Sequence, residues 1–573
     1  NPAEDWQPWK PQAQWNGKVL IHHGGNVGVT YGPGNPPNGD ISGTAPDGAE
    51  FLLGDSITVA LGRGFIATST ALANLGHNVN LVTAAESLMM VKERIVEQYG
   101  EIRYTMGTGC SGGAIAQQHI ANAYPGIYQG IIVQCSYPDV WTTASQFADY
   151  NLLNSYFGNR YPGVNEAENA NQFPNFNPNF LPYVQWSAVY GHLPVNPVLS
   201  DNAFFPKAYP FADNCRGLNG AATPYDPVNN PGGLRCGLID YMSTQFGFRT
   251  PDVWSANEKK IGRGFGGIPL DNVGVQYGLG ALQQGTITAD QFLDLNRNIG
   301  GFDVDIQRVA TRTVADPLAL TNSYKTGAVN TAEHLSNIPI IDLRGPDPGI
   351  AHDAFHSWQM RARLNATQGH FDNHVIWFGQ LVLAGDSTYS TEALLVMDRW
   401  LSQIEADDSN KPLPEKVVAN KPASARDKCL SAQSIYADDG PFVPLTGNLF
   451  YPEPILPMAN SSSIPKPPPE AGQIFDQLSN QVCGLDFSAV DSTGMSAQLT
   501  GPIAELQHVL VQTRFGTPRT VAGDDIRTLT NKCVLKPVDA ADYAGVVSIT
   551  DTAAFVAQVK EIFPQGVCDY SKP

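Results

Sequence analysis

Short apolar runs that end in glycine alternate along this chain with longer stretches whose apolar residues recur at helical spacing. The run "GKVLIHHGG" reads as a strand entering a glycine turn, followed by a strand over 64–69 and an amphipathic helix over 84–99. Next, "EIRYTMGTG" is a strand ending in small residues, and "GAIAQQHIANAY" carries apolar or small side chains at helical spacing. The near-continuous apolar run "GIIVQCSYPD" has the character of a strand buried on both faces of a parallel sheet. The same alternation returns late in the chain, with a strand over 338–343, a helix over 353–364, a strand over 374–378 and a closing helix "TEALLVMDRWLSQIEAD". Strands that alternate with helices predict an α/β chain with a mostly parallel sheet, of α/β-hydrolase type once the motifs below are considered.

The pattern breaks in two places. From 141 to 336 Asn, Pro, Tyr and Phe crowd together, as in "NQFPNFNPNFLPYVQW", which predicts a cap or lid inserted into the core. From 411 to 573 the chain is rich in Pro, Ser and Asn, with "KPPPEAG" as a linker and four cysteines, so a small disulfide-braced appendage is expected. The expected organisation is therefore core over 1–140, cap over 141–336, core again over 337–410, and appendage over 411–573.

Composition narrows the classes. The 573 residues are 42% hydrophobic and 16% charged, with a formal charge of −19, which describes a packed globular protein. An acidic chain without a Lys/Arg cluster fits neither nucleic acid nor an anionic membrane as partner. No apolar run approaches the roughly 20 residues that span a bilayer. The eight cysteines show no Cys-x-x-Cys spacing and favour disulfides, hence a secreted or periplasmic location. Sequence proximity pairs Cys215 with Cys236 and Cys533 with Cys568, leaving Cys429 with Cys483 and Cys110 with Cys135. A chain that opens on Asn1 reads as processed or trimmed.

The chemistry concentrates at "GTGCSGGAIAQQHIANAYPG". Gly109, Ser111 and Gly113 stand in the Gly-x-Ser-x-Gly register of a nucleophile elbow, in the strand–turn–helix context that motif needs. A motif centred on Cys110 would put Thr108 where the first glycine belongs. Upstream, His22–His23–Gly24–Gly25 follows an apolar strand, as does the His-Gly-Gly turn that lends esterases an oxyanion donor. Gly25 or Asn26, with the Gly112 N–H, would complete a two-donor hole. That strand starts near Lys18 and leaves no room for the strands that ordinarily precede it. The expectation is that the first strands are missing, or supplied by an absent N-terminal segment that was once part of the precursor and is a possible partner.

A serine nucleophile needs a base and an acid, in the chain order Ser, Asp, His. Asp347 in "RGPDP" stands where the acid should follow the seventh core strand. His352, directly after that strand, is the favoured base; His374 is the alternate, and Asp139 an alternate acid. His22 and His23 read as turn residues and His119 as a helix-face histidine. No metal or organic cofactor is implied.

The runs "ESLMMVKERIVEQYG", "YTMGTGCSGGAIAQQHIANAYPGIYQGIIVQCSYPDV", "NKCVLKPVDAADY" and "FPQGVCDYSKP" resemble a family of exported bacterial proteins catalogued as a domain of unknown function. Such proteins look like distant relatives of tannases, feruloyl esterases and 3-hydroxybutyrate oligomer hydrolases. The resemblance implies Ser111 as nucleophile and draws attention to His352 through "AHDAFHSWQMRARL". Tannases pair a cysteine beside the serine with one beside the catalytic histidine; Cys110 fits the first half, and neither His352 nor His374 has a cysteine neighbour. The expected function is hydrolysis of a carboxylic ester, aromatic or hydroxyalkanoate, small or oligomeric. Amidase, peptidase or acyltransferase chemistry at the same serine, and an inactive binding protein on a hydrolase scaffold, are the alternatives.

Overall fold

The computed structural model describes residues 6–29, 36, 56–160, 183–191, 208–210, 215, 223–344, 352, 355–378, 389–429, 519, 522–524, 527 and 531–572. The chain divides into two compact units. The first comprises 1–139, 330–348 and 356–486; the second comprises 140–329, 349–355 and 487–573.

Unit 1 is a seven-stranded sheet. In chain order its strands are β1 (Lys18–His22), β2 (Ile66–Thr68), β3 (Tyr104–Cys110), β4 (Gly130–Gln134), β7 (Ile340–Arg344), β8 (His374–Phe378) and β9 (Lys428–Cys429). The spatial order is β2-β1-β3-β4-β7-β8-β9 and every neighbouring pair is parallel. After β2 the chain crosses to the far side of β1 to lay down β3. The reversal of winding therefore falls between β1 and β3, and open parallel sheets bind ligands above the carboxyl ends of strands at such a point.

Alternation along the strands builds the core on both faces. Val19, Ile21, Ile131 and Val133 join one apolar cluster, whereas Leu20, Met106 and Ile132 join the other. The helices Leu81–Tyr99 (α1) and Gly112–Ala123 (α2) supply Leu88 and Ile120 to the first, and Tyr389–Ala406 (α3) supplies Met397 and Trp400 to the second. Helix α1 starts three residues before the sequence expectation, because the Asn80 side chain caps it by accepting from the Val82 and Thr83 N–H groups.

Charge is buried at one place beneath the carboxyl edge. Asp139, one residue short of the second unit, accepts a hydrogen bond from Arg363 Nη1 at 2.7 Å, and both side chains are fully buried. The Asn330 N–H donates to the same carboxylate oxygen at 3.2 Å, while Asn330 Nδ2 donates to the Pro138 carbonyl at 3.0 Å. This knot fastens the two places where the chain leaves and re-enters the sheet.

Unit 2 opens with the helix Val140–Arg160 and includes the hairpin β5 (Gly301–Phe302) and β6 (Arg308–Val309). A second hairpin pairs β10 (Leu535–Lys536) with β11 (Val567–Cys568). The sequence expectation of a separate appendage over 411–573 is corrected on both sides. Lys428–Cys429 extends the sheet of unit 1, and residues 487–573 group with the insertion. The reason is packing and charge: Arg519 donates to Asp149 at 2.6 Å, Phe292 clusters with Tyr543 and Phe555, and the Cys568 N–H donates to the Gly274 carbonyl at 3.0 Å. Disulfides Cys215–Cys236 and Cys533–Cys568 lie within this unit. Cys483, expected opposite Cys429, lies outside the described residues. No helix among the described residues is long and apolar enough to cross a membrane.

Removing one partner of a buried ion pair leaves the other desolvated and uncompensated. Arg363→Ala should therefore lower unfolding stability by about 3–5 kcal/mol in urea melts, whereas the paired replacement Asp139→Asn with Arg363→Met should cost much less than that single change.

Candidate active site

Ser111 is the first residue beyond β3 and the last before α2. Its backbone lies at φ 57 and ψ −116, a conformation costly for a residue with a Cβ and one that recurs at functional sites. It persists because both sides are fastened. The Ser111 N–H donates to the Gln134 carbonyl at 3.1 Å, and the Ser111 carbonyl accepts from Ala114 and Ile115. The serine is 9% exposed. Its side chain makes no capping bond to α2, so the hydroxyl is not spent on the helix.

The glycines around it answer to the loop that follows β1. A Cβ on Gly112 would run into the carbonyl oxygen of Asn26, and one on Gly113 would lie 2.9 Å from the His23 carbonyl oxygen. Gly109, at φ 158, faces that same carbonyl at 2.9 Å. Elbow and loop thus meet backbone to backbone, at the point where the winding of the sheet reverses.

This meeting corrects one detail of the sequence expectation. Gly25 does not present a donor beside Gly112; its carbonyl accepts the Gly112 N–H at 3.1 Å. The two-donor oxyanion hole expected of Gly25 or Asn26 with Gly112 is closed in this conformation. The cause is the approach just described, which lets the loop carbonyl reach the elbow N–H.

His23 anchors the loop from below. Its Nδ1 lies 3.0 Å from the Ala73 carbonyl and its Nε2 lies 2.7 Å from the Tyr128 hydroxyl. A carbonyl can only accept, so Nδ1 carries the proton and Nε2 accepts from Tyr128. Burial pulls the His23 pKa down to about 4, the bond to Ala73 opposing that shift and His22 adding to it.

Two of the candidate partners are held in other contacts. His374 begins β8, and the registers Gly107↔Ile131, Ile131↔Ile340 and Ile340↔His374 set it level with Gly107. It is roughly 14 Å across the sheet and roughly 13 Å along the strands from Ser111. There it lies 3.4 Å from Asp342, and burial lowers its pKa. The alternate His374 is therefore corrected to a core residue at the amino end of the sheet. Asp139 is held in the Arg363 and Asn330 knot, which corrects its reading as the orienting acid to that of a structural anchor.

Asp347 lies outside the described residues. His352 is half-buried in the segment 349–355, which groups with unit 2. One histidine was missed by the sequence reading. His356, in the first turn of the helix Phe355–Gln368 (α4), is 1% exposed, with its ring centroid 4.8 Å from that of Tyr137. Its Nδ1 lies 3.0 Å from Gln359 Oε1. Tyr137 follows β4 on the carboxyl edge, the edge that carries Ser111. The spacing of His352 and His356, four apart before a helix, was the signal available in the sequence.

Cys110, the residue before Ser111, is disulfide-bonded to Cys135, the residue after β4, with 5.3 Å between their Cα atoms. Strands β3 and β4 are thus cross-linked at their carboxyl ends.

Two outcomes follow. Replacing Cys110 and Cys135 together by Ala should lower stability by about 3 kcal/mol in urea melts, since the bridge closes a loop of 25 residues. The His23 pKa of about 4 in the fold lies below the unfolded value of about 6.5. The stability His23 contributes is then complete above pH ~6.5 and is lost as pH falls towards 4, by on the order of 3 kcal/mol in all. Chemical melts from pH 7 to 4 should show a shallower loss for His23→Gln than for the wild type.

Comparison with known proteins was informative at the family level alone. Feruloyl esterase B from Aspergillus oryzae shows 14% identity over 68% of this chain and 76% of its own, at a TM-score of 0.32. An esterase from Aspergillus oryzae shows 12% identity over 68% and 75%, at 0.33. Homoserine O-acetyltransferase from Bacillus anthracis shows 10% identity over 69% and 88%, at 0.22. Superpositions this loose carry no argument, and the fold stands on the strand order and the elbow. No curated protein matches the chain. A family model matches residues 1–573, and the chain belongs to the tannase-like family of unknown function (DUF6351).

Proposed function

We propose that this chain is a secreted serine hydrolase that cleaves a carboxylic ester, small or oligomeric, through an acyl-enzyme on Ser111. The observation that carries the reading is the φ 57, ψ −116 backbone of Ser111 at a strand–turn–helix junction, strain of the kind kept at functional sites and required by a nucleophile elbow. The three disulfides among the described residues fit an oxidising compartment, and hence export.

In the proposed reaction Ser111 Oγ attacks the ester carbonyl carbon as a histidine takes the hydroxyl proton. The tetrahedral intermediate collapses, the histidine returns that proton to the departing alcohol, and water releases the acid by the same steps in reverse roles. His352 is the proposed base, oriented by Asp347; His356 is its competitor, because its helix starts on the carboxyl side, after β7.

The closed oxyanion hole needs one local change. The Gly25 carbonyl and the Asn26 N–H belong to a single peptide plane and point opposite ways. Turning that plane over withdraws the acceptor from Gly112 and offers the Asn26 N–H in its place, giving two donors for the oxyanion. Glycine before the plane and asparagine after it are residue types that tolerate such a turn.

The test is intact-mass spectrometry after a fluorophosphonate probe. A single adduct that disappears in Ser111→Ala and in one of His352→Ala and His356→Ala would establish nucleophile and base; no adduct on folded wild type would overturn the reading in favour of an inactive scaffold. Aryl, feruloyl and hydroxyalkanoate esters then separate the substrate classes. Asn26→Ile, whose branched side chain resists the turned peptide, should lower kcat by roughly 100-fold at nearly unchanged KM, the size of effect expected for losing one oxyanion donor.

A further inference from the structure

Unit 2 contains a cavity of about 80 Å³ whose walls are nearly all apolar, among them Trp141, Leu152, Ile239, Phe302 and Ile306. Ala144, Phe147 and Leu270 line it while remaining half-buried, so it opens at that side. Space of this kind, walled by hydrocarbon, accepts small apolar molecules in preference to water.

The polar groups that reach the cavity are already occupied. Asp149 accepts from Arg519 Nε at 2.6 Å and from the Tyr277 hydroxyl at 2.6 Å. Arg519 Nη2 also donates to the Asp271 carbonyl at 2.7 Å. The Asp271 carboxylate takes the Val273 and Ala315 N–H groups, each within 2.9 Å, and Lys532 Nζ at 3.1 Å. Asn272 is spent on Thr313 N and the Gly300 carbonyl, and the Thr313 hydroxyl accepts from Phe302 N. The Asp149–Arg519 pair balances its own charge, so an ionic guest would be desolvated without gaining a partner.

One wall is held under strain. Ile306 has φ 58, a left-handed conformation that a β-branched side chain rarely adopts. The β5–β6 turn fixes it: Ile306 N donates to the Asp303 carbonyl at 3.0 Å, Asp303 N to the Gln307 carbonyl at 2.9 Å, and Arg235 Nη2 to the Val304 carbonyl at 2.6 Å. Any glycine or asparagine would close this turn at less cost. The isoleucine adds a branched apolar face to the cavity wall, and strain kept by its surroundings is a mark of a ligand clamp.

We infer that this cavity is a binding site for a small, neutral, apolar group the size of a single ring, clamped by Ile306 and distinct in chemistry from the Ser111 reaction. The experiment is ¹⁹F NMR of fluorobenzene titrated with full-length protein. Saturable broadening is expected for wild type and equally for Ser111→Ala, displaced by benzene and at least ten-fold less well by benzoate. Ala148→Phe, which fills the cavity from its own wall, should weaken binding at least ten-fold. Ile306→Gly, which suits the φ 58 backbone and removes the clamp, should weaken it while keeping a native circular dichroism spectrum. Absent saturable binding to wild type, or binding unchanged in folded Ala148→Phe and Ile306→Gly, would overturn the inference and leave the cavity a packing void. Loss of binding in Ser111→Ala would equally refute a site separate from the nucleophile.

Discussion

The contact on which the rest depends is one between two stretches of bare backbone. The loop after β1 lies on the elbow after β3 closely enough that Gly109, Gly112 and Gly113 each face a loop atom where a side chain would begin. That approach sets the height of Ser111, determines which carbonyl meets the Gly112 N–H, and requires β1 and β3 to be hydrogen-bonded neighbours. The parallel ladder Lys18↔Tyr104 through His22↔Thr108 supplies that adjacency, and the buried His23 ring ties the loop to the Ala73 carbonyl and the Tyr128 hydroxyl.

Much of this arrangement was legible in the residues. The sheet strands announced themselves because a parallel sheet covered on both faces needs unbroken apolar runs, and the elbow because only glycine fits where two backbones nearly touch. The start of α1 was missed by about one turn, since the Asn80 cap is a polar residue that breaks the apolar period. The direction of the Gly25 peptide was not legible at all. A glycine in a turn says that the chain bends and leaves open whether its oxygen or its neighbour's hydrogen faces the site.

The misassigned charged groups share one cause. His374 and Asp139 are chemically able residues, and nothing in their spacing tells which edge of the sheet His374 reaches. Strand register decides it, because parallel strands put every carboxyl end on one side. Asp139 stands on the carboxyl side, taken up by its pair with Arg363, and burial pushes His374 towards its neutral form. The tail misled for a similar reason. Its low-complexity stretch reads as a linker, while Arg519 beyond it forms one of the most buried ion pairs of the second unit.

The backbone at Ser111 has an evolutionary side. A positive φ favours glycine, and the serine gives up a cap to the helix that follows it. Drift or laboratory selection under thermal stress alone would therefore reward exchanging this residue for glycine. Retention of the serine in a lineage then records a pressure other than folding, and a sister sequence with glycine here would be the sturdier molecule and the idle one.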